Sequence, residues 1–328
     1  MKKIVILLVI MFLLVGCGSK KTVEERFMES LTDSKSYKVE GMMETFYDGE
    51  KDERKQNEFV VYYKDPDLIK VTIKSLDNDD QQIILKNPKG VYVLIPSVNK
   101  NFKIQSSWPA NASYPYLLQS LAKDIANEEN IIRVENEQTT EIETDTKMHT
   151  DANVVKQKIV FDRETALPTE VKVYDDEGDL YIRCVFQNIE LDYNIAATEF
   201  EVNESLAYAR LEYGEDGIIF ENRTLDLPLY FPSGSILSNQ SKNENRMIIK
   251  YGGDYGFTII QELIDDSEEV YSQEEDGRVV MIMGNVGVLT ENSLLFVYGG
   301  IEYTIAAEEV ILDEFIKIAA SYMQDSGK

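Results

Sequence analysis

Leu68 to Lys74 alternates Ile69, Val71 and Ile73 with Lys70, Thr72 and Lys74. A period of two over seven residues is a strand with one buried face, since successive side chains point to opposite sides of a sheet. The pattern recurs along the first 200 residues. Tyr37 to Tyr47, Glu58 to Tyr63, Gln82 to Leu85, Val91 to Ile95, Val154 to Phe161, Thr169 to Tyr174 and Leu180 to Leu191 all read as strands. The charged stretch from Asp48 to Gln56 reads as an exposed hairpin tip. Asp65-Pro66-Asp67, Asn87-Pro88-Lys89-Gly90, Leu167-Pro168 and Asp175-Asp176-Glu177-Gly178 are turns. Asn136 to Thr146 is polar and alternates only weakly. With 43% hydrophobic and 28% charged residues in 328, such a chain can bury a core, and global disorder is excluded.

Helices interrupt the pattern at few places. Thr22-Val23-Glu24-Glu25 is a capping box, with Val23, Phe27 and Leu31 on one face behind it. The only tryptophan, Trp108, and Tyr114 stand ahead of Pro115-Tyr116, where the proline near a helix start, with Leu117, Leu118, Leu121 and Ile125 following, reads as an amphipathic helix. In a strand-rich unit, its apolar side must lie on the sheet. Beyond Glu204 to Glu212, five short strands are expected at Met247 to Tyr251, Phe257 to Leu263, Arg278 to Met283, Ser293 to Tyr298 and Glu302 to Ile305. Gly299-Gly300 is a tight hairpin between the last two. A helix from Glu308 to Met323 carries Leu312, Phe315, Ile316 and Ala319 in one stripe. The expected organisation is a first domain over 22–202, a linker over 203–224 and a small α+β domain over 225–328.

The amino terminus sets an expectation about place. Lys2 and Lys3 precede the apolar run Ile4 to Val15, about a dozen residues, short for a bilayer and suited to a signal-peptide core. Leu14-Val15-Gly16-Cys17 closes the run and resembles the lipobox of bacterial lipoproteins. That resemblance implies removal of residues 1–16, a diacylglycerol on Cys17, and a lipidated tether over 17–21. The protein would then be anchored on the extracytoplasmic face of a membrane without crossing it. Cys184 remains, on the Leu180, Ile182, Phe186 face of its strand, and reads as a buried structural thiol.

Composition removes several function classes. Fifty-nine acidic residues against 33 basic ones give a net charge of -26, which repels a phosphate backbone, so nucleic acid is not an expected partner. The single histidine, His149, stands in the polar Met148-His149-Thr150-Asp151, with neither a second histidine nor a nearby cysteine for a metal or an acid–base pair. Asp77-Asn78-Asp79-Asp80 lacks the glycine and glutamate of a calcium loop and reads as a solvated turn. No phosphate loop, dinucleotide fingerprint or serine elbow occurs. The chain therefore reads as non-enzymatic, with no cofactor and no metal.

Two uses remain for a curved antiparallel sheet closed by helices. Loose helices leave room for an acyl ligand, whereas tight ones make a core and leave the rim or a strand edge to recognise a protein. Three stretches carry a family resemblance: Lys89 to Pro96, Trp108 to Leu118, and Leu167 to Tyr174. They resemble the LolA-like lipoprotein-carrier superfamily, and within it the sporulation lipoproteins of Firmicutes known as GerS and YdcC, over residues 22 to 202. The resemblance implies an α+β fold, an incomplete antiparallel β-barrel with helices on its concave face, followed here by the second small α+β domain. It also implies a non-catalytic accessory role in sporulation or germination, with a cell-wall amidase as protein partner and Trp108, Tyr114, Tyr116, Leu117, Leu118 and Leu121 as the binding segment. Carrier and sensor members of the same superfamily imply the alternative, an acyl ligand.

Overall fold

The architecture comes from a computed structural model that describes residues 21–324, except 48–49, 79, 106–107, 110–111, 130, 149, 151–152, 214–219, 221–222, 265–269 and 309–311. After helix α1 (Val23–Asp33), six strands run in sequence: β1 (Ser36–Tyr47), β2 (Glu50–Lys64), β3 (Leu68–Ser75), β4 (Gln81–Asn87), β5 (Gly90–Ile95) and β6 (Lys100–Ile104). Helix α2 (Leu118–Asn127) follows. Then come β7 (Ile132–Glu135), β8 (Thr139–Asp145), β9 (Val154–Asp162), β10 (Pro168–Asp175), β11 (Leu180–Leu191) and helix α3 (Val202–Leu211). The remainder holds β12 (Ser235–Lys242), β13 (Arg246–Gly253), β14 (Phe257–Leu263), β15 (Tyr271–Glu275), β16 (Gly277–Ile282), β17 (Asn285–Thr290), β18 (Ser293–Tyr298), β19 (Ile301–Ala306) and helix α4 (Leu312–Ser321).

The strands form a large open sheet and a smaller one. The first has twelve strands in the order β15-β6-β5-β4-β3-β2-β1-β11-β10-β9-β8-β7. Every pairing in it is antiparallel except β15 with β6, which run parallel. The second has seven, in the order β12-β13-β14-β19-β18-β17-β16. This agrees with the expected open antiparallel barrel and its small companion.

Register sorts the side chains. Tyr37, Val39, Gly41 and Met43 of β1 stand opposite Tyr63, Val61, Phe59 and Asn57 of β2. They share one face with Ile69, Val71, Ile73, Ile159, Phe161, Val171, Val173, Ile182 and Cys184, all in one core. Helices α1 and α2 lie on this inner face: Phe27 meets the Phe161 ring at 5.2 Å, and Leu118, Leu121 and Ile125 join the same core. α1 starts where its capping box says it must, with Thr22 Oγ1 accepting from the Glu25 amide at 3.3 Å and Glu25 Oε2 accepting from the Thr22 amide at 2.8 Å.

The second sheet packs on the first. Val279, Met281, Val286, Val288, Leu295 and Val297 of β16–β18 belong to the core of the inner face. Their neighbours Val280, Ile282, Leu289, Leu294 and Phe296 point the other way, onto Phe315, Ile316, Ile318 and Ala319 of α4. These strands are buried on both sides, which is why they read as continuous apolar runs. Polar clasps cross between the layers: the Asn57 side chain donates to the Gly284 carbonyl, Gln82 accepts from the Val286 amide at 2.6 Å, and buried Lys100 pairs with Glu302 at 2.5 Å.

Several sequence expectations differ from this architecture. β6 and β15 go unread in the sequence because Lys100-Asn101 and Gln273-Glu274-Glu275 hide any apolar period. β2 runs from Glu50, so the charged stretch expected at a hairpin tip is largely strand. Of residues 203–224, expected to link two units, 203–211 lie in α3, whose Leu206 and Ala209 cover Ile83, Leu85, Tyr92 and Leu94 on the outer face of β4 and β5. The terminal helix, expected from Glu308 to Met323, is described over Leu312–Ser321. His149 and Cys17 lie outside the described residues.

Candidate functional site: a filled inner face and an outer cleft

The helix expected after Pro115 is α2, and the segment ahead of it is a plug. Residues 108–109 and 112–117 turn irregularly, and the helix begins at Leu118. Trp108 stands edge-on to Tyr114 at 5.4 Å, Tyr114 tilts against Tyr116 at 6.0 Å, and Tyr116 against Phe59 at 5.9 Å. Phe59 in turn meets Phe186 edge-on at 5.9 Å. The Tyr116 hydroxyl reaches Met281 Sδ of β16 at 3.9 Å, so the plug lies between the two sheets. The Ser120 hydroxyl of α2 accepts from the Tyr114 amide at 2.8 Å and fixes the turn into the helix.

All six residues singled out in the sequence, Trp108, Tyr114, Tyr116, Leu117, Leu118 and Leu121, come together here, each at most 4% exposed. In this arrangement they are core, and none presents its side chain to a partner. Burial, with smaller contributions from Tyr114 and Cys184, pushes the Tyr116 phenol well above its ordinary range, and burial pushes the Cys184 thiol up likewise. Cys184 is the inert buried thiol that the period-two pattern implies.

The outer face carries chemistry that sequence reading misses. Register aligns Glu58, Lys74 and Gln81 in one row across β2, β3 and β4, and Val60, Thr72 and Ile83 in the next. Tyr62 and Lys70 continue the grid. Ser205, Tyr208, Ala209 and Glu212 of α3, with Glu199 before it, wall a cleft of about 400 Å³ over these rows. Lys70, its side chain 9% exposed, is held by Glu199 at 2.8 Å. Lys74 lies 3.9 Å from Glu212. Gln81 is buried, and its side-chain oxygen has no hydrogen-bond partner. An alternation such as Lys70-Thr72-Lys74 signals only a solvated strand face, so nothing short of the fold could reveal the wall that α3 builds.

Asp80, expected in a solvated turn, is a correction. It is buried at the start of β4, where the Gln81 amide donates to its Oδ1 at 2.9 Å. Burial pushes its carboxyl up to about 6, against the Ser97 hydroxyl and the Gln81 amide, which pull it down. A second cleft, about 590 Å³, opens at the end of the small sheet between Tyr251, Tyr255, Phe257, Phe315 and Ile318. Among the described residues, no group of three or more His, Cys, Asp or Glu is placed to hold a metal, and no helix is long and apolar enough to cross a membrane.

Comparison with known proteins adds the following. A family model described as sporulation protein YdcC-like matches residues 1–200. Sporulation protein YdcC of Bacillus subtilis (strain 168) is 27% identical over 327 residues, covering 98% of this chain and 96% of that protein. Among solved structures, the Pseudomonas aeruginosa MucA/MucB complex matches with 12% identity, 89% of this chain, 94% of that chain and a TM-score of 0.33. The complex of the CwlD amidase from Clostridioides difficile with the GerS lipoprotein matches with 16% identity, 55% of this chain, 100% of that chain and a TM-score of 0.21.

Proposed function

This chain belongs to the YdcC-like family of sporulation proteins, and on that premise we propose that it is a non-catalytic, lipid-anchored accessory protein of sporulation or germination that acts on a cell-wall enzyme. Two features support export and anchoring: the apolar run Ile4 to Val15 and the lipobox-like Leu14-Val15-Gly16-Cys17, with Cys17 as the acylated residue. The mature chain then sits on the extracytoplasmic face of a membrane, on the side where a cell-wall enzyme works.

The observation that carries the choice of a protein over an acyl ligand is the plug. Trp108, Tyr116 and Leu118 are buried in the core of the inner face, so an acyl chain bound there would have to displace them. The surface, by contrast, offers a partner the end strands β7 and β12 of the described sheets, on which Ile132, Val134, Ile236 and Leu237 are exposed.

Deletion of the gene tests the reading. Spores of the deletant should show altered cortex muropeptides or slower germination, restored by the wild-type gene but not by a Cys17→Ser copy. Normal muropeptides and normal germination in the deletant would refute it.

A further inference from the structure

We propose that the cleft between α3 and the outer face of β2–β4 is a binding site for a neutral sugar, a site separate from the partner surface proposed above. The chemistry of the lining narrows the ligand. Acceptors and donors alternate around it: Glu58, Glu199 and Glu212 against Lys70, Lys74, Thr72 and Ser205. Three carboxylates against two ammonium groups disfavour an anion. The two ammonium groups, with Lys70 locked to Glu199 and Lys74 beside Glu212, disfavour a cation. Only Val60, Ile83 and Ala209 are aliphatic, which disfavours an acyl chain. A molecule that both donates and accepts at many points, without net charge, satisfies the whole set. That is a polyhydroxyl ring.

Two further features point to a ligand. Gln81, 6% exposed, keeps a side-chain oxygen with no partner, and a buried acceptor left unpaired is costly unless something donates to it. A sugar hydroxyl is such a donor. Tyr208 stands 59% exposed on α3 beside the cleft, an aromatic face on which the C–H side of a sugar ring can lie. The volume of about 400 Å³ suits one or two rings and lies at the small end of ligand pockets.

The test uses the detergent-solubilised full chain, titrated calorimetrically with N-acetylglucosamine, its β-1,4-linked disaccharide and maltose, and with cadaverine and succinate as charged controls. At least one sugar should bind saturably below about 20 mM, and both charged controls should fail. The ratio of disaccharide to monosaccharide affinity separates a free sugar from the end of a glycan strand. Gln81→Leu removes the unpaired acceptor and should weaken the binding roughly tenfold. Tyr208→Ala, at an exposed position that leaves the fold intact, should weaken it several-fold. Absence of saturation with all three sugars overturns the proposal, as does a charged control that binds more tightly, or undiminished binding in Tyr208→Ala.

Discussion

At the residue scale, the buried acid before β4 makes a prediction with a definite sign. The Asp80 carboxyl titrates near 6 when folded and near 3.8 when free. A raised folded value means that the stability it confers is fully present below about pH 4 and is lost as pH rises through about 6. Asp80→Asn carries no charge at any pH. In urea unfolding, the stability of the variant relative to wild type should therefore rise by about 2 to 3 kcal/mol between pH 4 and pH 7. A difference independent of pH would contradict the burial of this group. Cys184 makes a second prediction: a maleimide should leave it unmodified in the native protein and label it fully in urea, because burial keeps the thiol protonated and out of reach. The two residues differ in how far the sequence showed their state. Cys184 alternates with Leu180, Ile182 and Phe186, and that period reveals a buried position. Asp80 ends a run of acids and amides, and nothing local reveals that the surrounding layers close over it.

At the scale of elements, the first sheet depends on a close approach at one glycine. A Cβ at Gly41 would stand 2.4 Å from the Val185 carbonyl oxygen and 2.5 Å from the Phe59 ring. The β1–β11 register also shifts beside it, between Glu40 and Gly41. Gly41→Ala should cost about 1 to 3 kcal/mol in thermal or urea unfolding, since Phe59 must move and with it Tyr116. Tyr116→Ala, which opens the plug, should cost about 3 to 5 kcal/mol. A loss below about 1 kcal/mol would mean that the plug is loose enough to admit a ligand. α1 is tied at its first turn to the edge strand, where Arg133 of β7 donates to buried Glu24. Burial alone would push the Glu24 carboxyl up, but Arg133 and the helix-start donors outweigh it and hold it below its ordinary range. The capping box announced α1, and period two announced most strands. The helical spacing of Leu118, Leu121 and Ile125 announces α2, while the turns around Trp108, Tyr114 and Tyr116 that precede it follow tertiary contacts alone.

At the scale of the molecule, the two sheets share one core. Six side chains from β16–β18 complete the core of the first sheet, and β15 supplies its edge strand, paired with β6 from Tyr271 to Glu275. Calorimetry of the full chain should give one cooperative transition, whereas two independent domains would give two. Cutting the chain after residue 202 would leave the Met281 contact of Tyr116 empty and expose the apolar inner face, so that fragment should bind hydrophobic dyes or aggregate. This interlock was not legible in the sequence, which shows where strands lie but not which strands meet across 171 residues. The measurement that bears most directly on the function is native mass spectrometry of the chain gently extracted from sporulating cells. The account predicts a mass equal to the chain from Cys17, its acyl anchor and a cell-wall enzyme, with nothing held between the sheets. Recovery of the chain without a protein partner and with a stoichiometric acyl ligand beyond the anchor would contradict it.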